Sequence, residues 1–294
     1  MNELRTELIN AATQELAAEG VEVISTLQDV KKVNNTGYTA LNVRPEGKPI
    51  GVSINLQEID EKIAELVTDF SKTIKNAIKN IPDISIPATY EELKEGLMVE
   101  AVGKIANEEM LSDIPHKIIA DIAIVIRYIV NSDEKGTTSF LVTKDTLKFY
   151  KVDTDTLYAD AISNSITKHP LRIRGMFDVL SALMDGEEDL LMDESIQDVG
   201  DFPIVCSNEA GIKGAGVIAY PDFYEKALAA TKGIDFYILP SSIHEVLLMP
   251  KNDMPPEDIK NTVLMVNEAC VSAAEKLSDN IYEYVDGELK VVQV

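Results

Sequence analysis

Within the stretch Ile238 to Pro250, Ser241, Ser242, His244 and Glu245 bring two hydroxyls, an imidazole and a carboxylate within five residues of one another. A nucleophile, a base and an orienting acid are built from such groups, so the chemistry to weigh first is acyl-transfer hydrolysis. The spacing weakens that reading. If residues 243–249 form a strand, Ser242 and His244 share one face while Glu245 points to the other and cannot orient the imidazole. No Gly-x-Ser-x-Gly elbow accompanies the serines, so nothing supplies a strained turn with oxyanion donors. The plainer expectation is a Pro-Ser-Ser turn entering a strand, with His244 bonded locally.

Other constellations are thinner. The three histidines, His116, His169 and His244, never stand at i, i+4 to one another, so a His-Glu-x-x-His zinc helix is excluded and no metal site is expected. Gly211, Gly214 and Gly216 resemble a phosphate cradle, but no Gly-Lys-Ser/Thr follows, and the loop falls between two expected strands, residues 202–207 and 217–220. A hairpin turn is the expected outcome, with no cofactor. Tyr220, Phe223, Tyr224, Phe236 and Tyr237 gather aromatic side chains in the last third, suited to core packing or to a ligand platform. Residues 185–201 hold eight acids and no base, at a spacing unlike a calcium-binding loop, and are expected to be a solvated connector.

The elements that would carry these residues follow from periodicity. Leu4, Leu8, Ile9, Ala12 and Leu16 lie on one helical stripe that stops at Gly20. Three antiparallel strands then span residues 21–56, separated by turn-forming Asn and Gly residues. From Asn55, with Glu58 at capping-box spacing, a long amphipathic helix is expected to run to Ile81, and Thr89 with Glu92 opens another over 89–106. A β-branched hairpin follows around residues 119–143, then helix over 144–168, with 171–184 ambiguous. After the glycine loop come a helix at 222–231, strands at 235–239 and 243–249, a helix from Pro256 to about Leu277, and a terminal hairpin turning at Asp286-Gly287. The fold class is therefore α+β: antiparallel strands and hairpins with several long amphipathic helices, arranged as mixed sheets covered by helices. The expected division is 1–115, holding the first helix, the meander and two helices, and 116–294, an α+β domain.

Composition sets the wider bounds. The 294 residues are 45% hydrophobic and 26% charged, as in ordinary globular proteins, but 50 acids face 27 bases and leave a net charge of −23. Such a polyanion is repelled by phosphate backbones and anionic membranes, so direct nucleic-acid binding is not expected. Cys206 and Cys270 are too few for a disulfide framework and are expected to be buried thiols. The opening twenty residues lack the apolar core of a signal peptide, and no run of about 18 apolar residues could span a bilayer. A cytoplasmic location is expected.

The stretches from Ser139 to Asp153, Leu157 to Pro170, Phe202 to Leu228 and Asp235 to Pro250 resemble a Firmicutes family catalogued only as a domain of unknown function. The likeness is sharpest in ILPSSIHEVLLMP, residues 238–250, and LSDNIYEY, residues 277–284. It implies a gut-clostridial or related source and a mobile-element neighbourhood, and it supplies no catalytic residue. A more distant similarity links the chain to a second uncharacterised bacillary family with the same order of strand pair, short helix and terminal strand.

Three functions remain open. The leading one is a non-enzymatic interaction protein whose acidic surface engages another protein, as an accessory factor of a mobile element. The second is a hydrolase using Ser241 or Ser242, His244 and a carboxylate such as Glu245. The third is a nucleic-acid mimic that blocks a DNA-binding protein.

Overall fold

The computed structural model describes residues 2–47, 51–56, 67–79, 87–133, 136–176, 178–179, 203–251 and 254–294. The acidic run 185–201 lies outside them, as does the middle of the helix expected from Asn55. The chain forms two compact units, Met1–Ser85 and Ile86–Val294.

In the first unit, α1 (Asn2–Ala18) buries Ile9, Ala12 and Leu16, and the chain leaves it through Gly20 at φ +79°. Strands β1 (Val23–Lys31), β2 (Gly37–Pro45) and β3 (Val52–Asn55) form the antiparallel meander, with β2 in the centre. Leu41 and Val43 of β2 meet the α1 stripe, and Ile74 of α2 (Val67–Lys79) completes that core with Leu56. Asn55 ends β3 opposite Ala40, and its expected capping partner Glu58 lies outside the described residues.

The second unit opens with α3 (Tyr90–Lys94), where Thr89 Oγ1 accepts from the Glu92 N–H at 3.3 Å. The helix expected to reach residue 106 stops there. Gly96 sits where a Cβ would lie 2.4 Å from the Tyr128 ring, and Leu97–Gly103 continue as β4, paired with β6 (Ile122–Asp133) at seven successive positions. All seven residues of β4 are buried, and sheet pairing overrides the helical propensity of Leu, Met, Glu and Ala. That pairing also explains why the compact units divide at Ser85, not at 115: residues from β4 onward are tied to β6. Strands β5 (His116–Ile119) and β7 (Gly136–Leu141) lie end to end along the other side of β6.

Helix α4 (Glu108–Leu111) fills the β4–β5 connection. The single helix expected over 144–168 is two, α5 (Lys144–Tyr150) and α6 (Thr154–Lys168), because Lys151 turns left-handed at φ +55° and Asp153 starts a new cap. The ambiguous segment begins as β8 (Leu171–Gly175). It edges a six-stranded sheet ordered β13-β12-β10-β11-β9-β8, built with β9 (Ile204–Asn208), β10 (Phe236–Leu239), β11 (Val246–Pro250), β12 (Tyr282–Val285) and β13 (Glu288–Val291). Every strand pairing among the described residues is antiparallel, so the α+β class stands and the sheets are not mixed.

Between the two sheets of this unit lies one continuous core, in which Val99, Ile124 and Ile126 join Cys206, Ile238, Leu248 and Tyr282. Helix α7 (Phe223–Ala230) contributes Phe223 and Ala227 to it. Helix α8 (Pro256–Cys270) covers another face of the six-stranded sheet through Ile259 and Val263, and ends at Cys270 rather than near Leu277. Cys206 is buried, its thiol pushed far up by burial, whereas Cys270 is exposed, contrary to the expectation of two buried thiols.

Candidate functional site

The residues singled out for hydrolysis form a turn, not the start of a strand, since β11 begins only at Val246. Ser241 Oγ and Ser242 Oγ both donate to Glu245 Oε1 at 2.9 Å, and Ser242 Oγ accepts from the His244 N–H at 3.0 Å. Glu245 therefore binds the two hydroxyls, and it misses the imidazole because of this turn rather than because of strand alternation. His244 turns its ring elsewhere: Nδ1 accepts from the Lys213 backbone N–H at 3.1 Å, and Nε2 faces Glu275 Oε1 at 3.7 Å. Among the described contacts neither serine hydroxyl meets the imidazole, so this geometry does not assemble the nucleophile–base pair that hydrolysis needs.

What the imidazole does hold is the glycine loop. Where a strand was expected at 217–220, Gly214–Ala219 form a 3-10 turn laid over β4. The approach is close enough to require glycine: a Cβ on Gly214 would lie 2.1 Å from Ser207 Oγ and 2.6 Å from His244 O, and one on Gly216 would lie 2.9 Å from Val99 O. Ser207 Oγ donates to His244 O at 2.7 Å and the Ala215 N–H donates to Ile243 O at 3.2 Å, fastening the loop to the turn on both sides. Lys213, left-handed at φ +54°, then sends its ammonium to Glu100 Oε1. Glu100 is fully buried in the middle of β4, and Arg127 Nε donates to its other oxygen at 2.6 Å while Arg127 Nη1 reaches Ser139 Oγ at 3.2 Å. One carboxylate is thus matched by two cations from distant segments, which ties β4, β6 and the glycine loop together.

The second distinctive stretch, residues 277–284, has its own focus. Ser278 Oγ and Asn280 Nδ2 donate to Asp121 Oδ2 at 3.0 and 2.9 Å, and the Tyr282 hydroxyl donates to Asp121 Oδ1 at 2.6 Å. Burial, then the neighbouring Asp121 charge, push the Tyr282 phenol far above its ordinary range, so it stays a donor. Asp121 had no signal in the sequence, which places it inside the hairpin expected over 119–143, whereas it stands in the turn between β5 and β6.

A groove of about 610 Å³ opens beside this cluster, within the range of ligand sites. Its walls are Ile118 to Ala120 at the end of β5, Ile218 to Glu225 around the start of α7, and the β12–β13 hairpin. Here the aromatic group divides: Phe223, Phe236 and Tyr220 are core, the Tyr220 hydroxyl donating to His169 O at 2.8 Å, while Tyr224 faces the groove together with Tyr284. The Tyr224 and Tyr284 rings lie 4.4 Å apart, and burial, then Tyr224, push the Tyr284 phenol up to about 12. Exposed carboxylates of Glu225 and Glu288 stand on the rim. Tyr284, Glu288 and Ile118 were missed because the groove's parts are scattered along the chain.

Among the described residues no group of three or more His, Cys, Asp or Glu side chains could hold a metal ion, and no helix is long and apolar enough to cross a membrane. No curated protein and no solved structure matches the chain. Residues 2–286 match the model of a family described as Family of unknown function (DUF5688), and the chain, spanning both compact units in that match, belongs to it.

Proposed function

We propose that this chain is a protein-interaction factor that seats a partner segment in the groove between β5, α7 and the β12–β13 hairpin. The observation that carries this reading is the groove's lining: Tyr224, Tyr284 and Ile118 offer apolar contact, and Glu225 together with Glu288, which has Lys290 at 3.5 Å, offers negative charge at the rim. Tyrosine-rich surfaces bind with little loss of side-chain entropy, and carboxylates at a rim select basic partners and speed their approach. The overall charge of −23 reinforces that preference. The partner chemistry is a peptide segment carrying an apolar anchor beside lysine or arginine.

The test is fluorescence polarisation of a labelled peptide panel of basic-apolar, acidic-apolar and neutral sequences against the full chain. Basic-apolar peptides should bind, weaken as salt rises, and lose affinity by at least about tenfold in Tyr224→Ala or Glu225→Lys, the scale of one well-placed interface contact. Equal binding by these variants, or no binding at low ionic strength, removes the proposal.

A further inference from the structure

We infer that the partner segment binds as an added β-strand, extending the six-stranded sheet at the free edge of β13. This deepens the groove-binding reading and rests on it.

The edge is defined by pairing. Among the described residues β13 ends its sheet and pairs only with β12, and Gly287, Glu288 and Leu289 line the groove. The hairpin turns through Asp286 at φ +54° and Gly287 at φ +79°, both left-handed, as a two-residue loop of the primed type requires. In such a hairpin the closing pair, Val285 and Glu288, exchanges the ladder hydrogen bonds, and bonded and non-bonded pairs then alternate. The Val292 N–H donates to Ile281 O at 3.0 Å, which fits that alternation two pairs further along than Glu283 and Lys290. Leu289 and Val291 therefore fall in non-bonded pairs, and their backbone N–H and C=O groups point away from β12. The Val291 carbonyl is met at 3.4 Å by Nε2 of the exposed Gln293, a side-chain contact that an incoming strand would displace.

The surroundings suit a strand. Leu289 turns its side chain into the core, while Glu288 and Lys290 are exposed, so an added strand would find alternating apolar and charged neighbours. Across the groove stands β5, which among the described residues pairs only with β6 and exposes Ile118, giving an apolar wall for the side chains of the segment. Main-chain bonds would supply affinity, and the tyrosines and rim carboxylates would select the alternate side chains. Glu225 and Glu288 favour lysine or arginine at the exposed positions of that strand over a second copy of this acidic chain.

The test uses the full chain and a labelled peptide of alternating lysine and valine, with two versions N-methylated at alternate amides so that only one strand edge is blocked in each. One methylation pattern should weaken binding by at least about tenfold, the effect of losing two backbone hydrogen bonds, while the other leaves it unchanged. Val291→Pro, which removes an outward N–H and no ladder donor, should weaken the unmodified peptide in the same way; because Val291 also packs partly against the core, the comparison is made where urea unfolding shows the variant fully folded. Equal binding of all three peptides overturns strand addition while the groove reading stands. No binding of any of them at low ionic strength sinks both. Concentration-dependent dimerisation that Val291→Pro abolishes would show that the edge serves a second copy, and overturns the inference.

Discussion

Glu100 of β4 meets Arg127 of β6 with an Nε–Oε2 distance of 2.6 Å, and the carboxylate has no exposed surface. With Lys213 on its other oxygen, this buried anion is satisfied from two sides. Glu100→Gln keeps the shape and removes the charge, leaving two cations facing each other in a site shielded from water. Urea unfolding should show a loss of about 3–5 kcal/mol, as when one partner of a buried pair is removed. A loss below about 1 kcal/mol, the range of exposed pairs, would show that water screens the site.

Asp121 is the acceptor for Ser278, Asn280 and Tyr282, so Asp121→Ala orphans three donors at once. Each donor left without a partner in a buried setting costs about 1–3 kcal/mol. The expected sign is faster amide exchange in β12 and β13 ahead of the rest of the unit. Uniform exchange across the unit would show that the cluster does not anchor the hairpin.

Gly214 and Gly211 differ in why they are glycine. A Cβ at 214 collides with Ser207 Oγ and His244 O, whereas one at 211 meets nothing within 4 Å and suffers only from φ +66°. Gly214→Ala should cost about 3 kcal/mol, the upper end for overpacking, and Gly211→Ala about 1–2 kcal/mol for a left-handed backbone. Thermal unfolding of the two variants reads the order, and the reverse order would refute the packing account of the loop.

Burial, then the adjacent Lys168, hold the His169 imidazole below its usual range against an opposing pull from Glu209. The unfolded chain, titrating near about 6.5, takes its proton at higher pH than the folded chain. The stabilisation is complete above that value and is lost as the pH falls through it toward the folded titration. His169→Gln should therefore lose less stability than the unaltered chain between about pH 7.5 and about pH 5.5 in urea unfolding. Parallel losses would show that His169 is not the group responsible.

The local signals that survived folding are those in which sequence neighbours also touch. Asp286-Gly287 turn as their types demand, and the α1 stripe meets its core through Ile9, Ala12 and Leu16. The region around β4 misleads because Leu97, Met98, Glu100 and Ala101 favour a helix in isolation, and only β6, beginning nineteen residues after β4 ends, makes them a strand. Glu100 carried no mark of its importance, since Arg127 and Lys213 reach it from other elements. Ser241, Ser242, His244 and Glu245 were conspicuous for their types, yet their bonds fasten a turn and a loop. The groove draws on three separated segments, and no window of sequence contains it.

Strands β4 and β6 are apolar on both faces for most of their paired length, so hydrophobic alternation alone does not say which residue should stand opposite which. The Glu100–Arg127 bond narrows the choice. The two are diagonal neighbours, Glu100 standing opposite Val125 and Arg127 opposite Met98, and a slip by one residue either way would turn the carboxylate to the opposite face from the guanidinium. The buried charge thus acts as an alignment key, ruling out the pairings of two otherwise interchangeable greasy strands that would set the two groups on opposite faces.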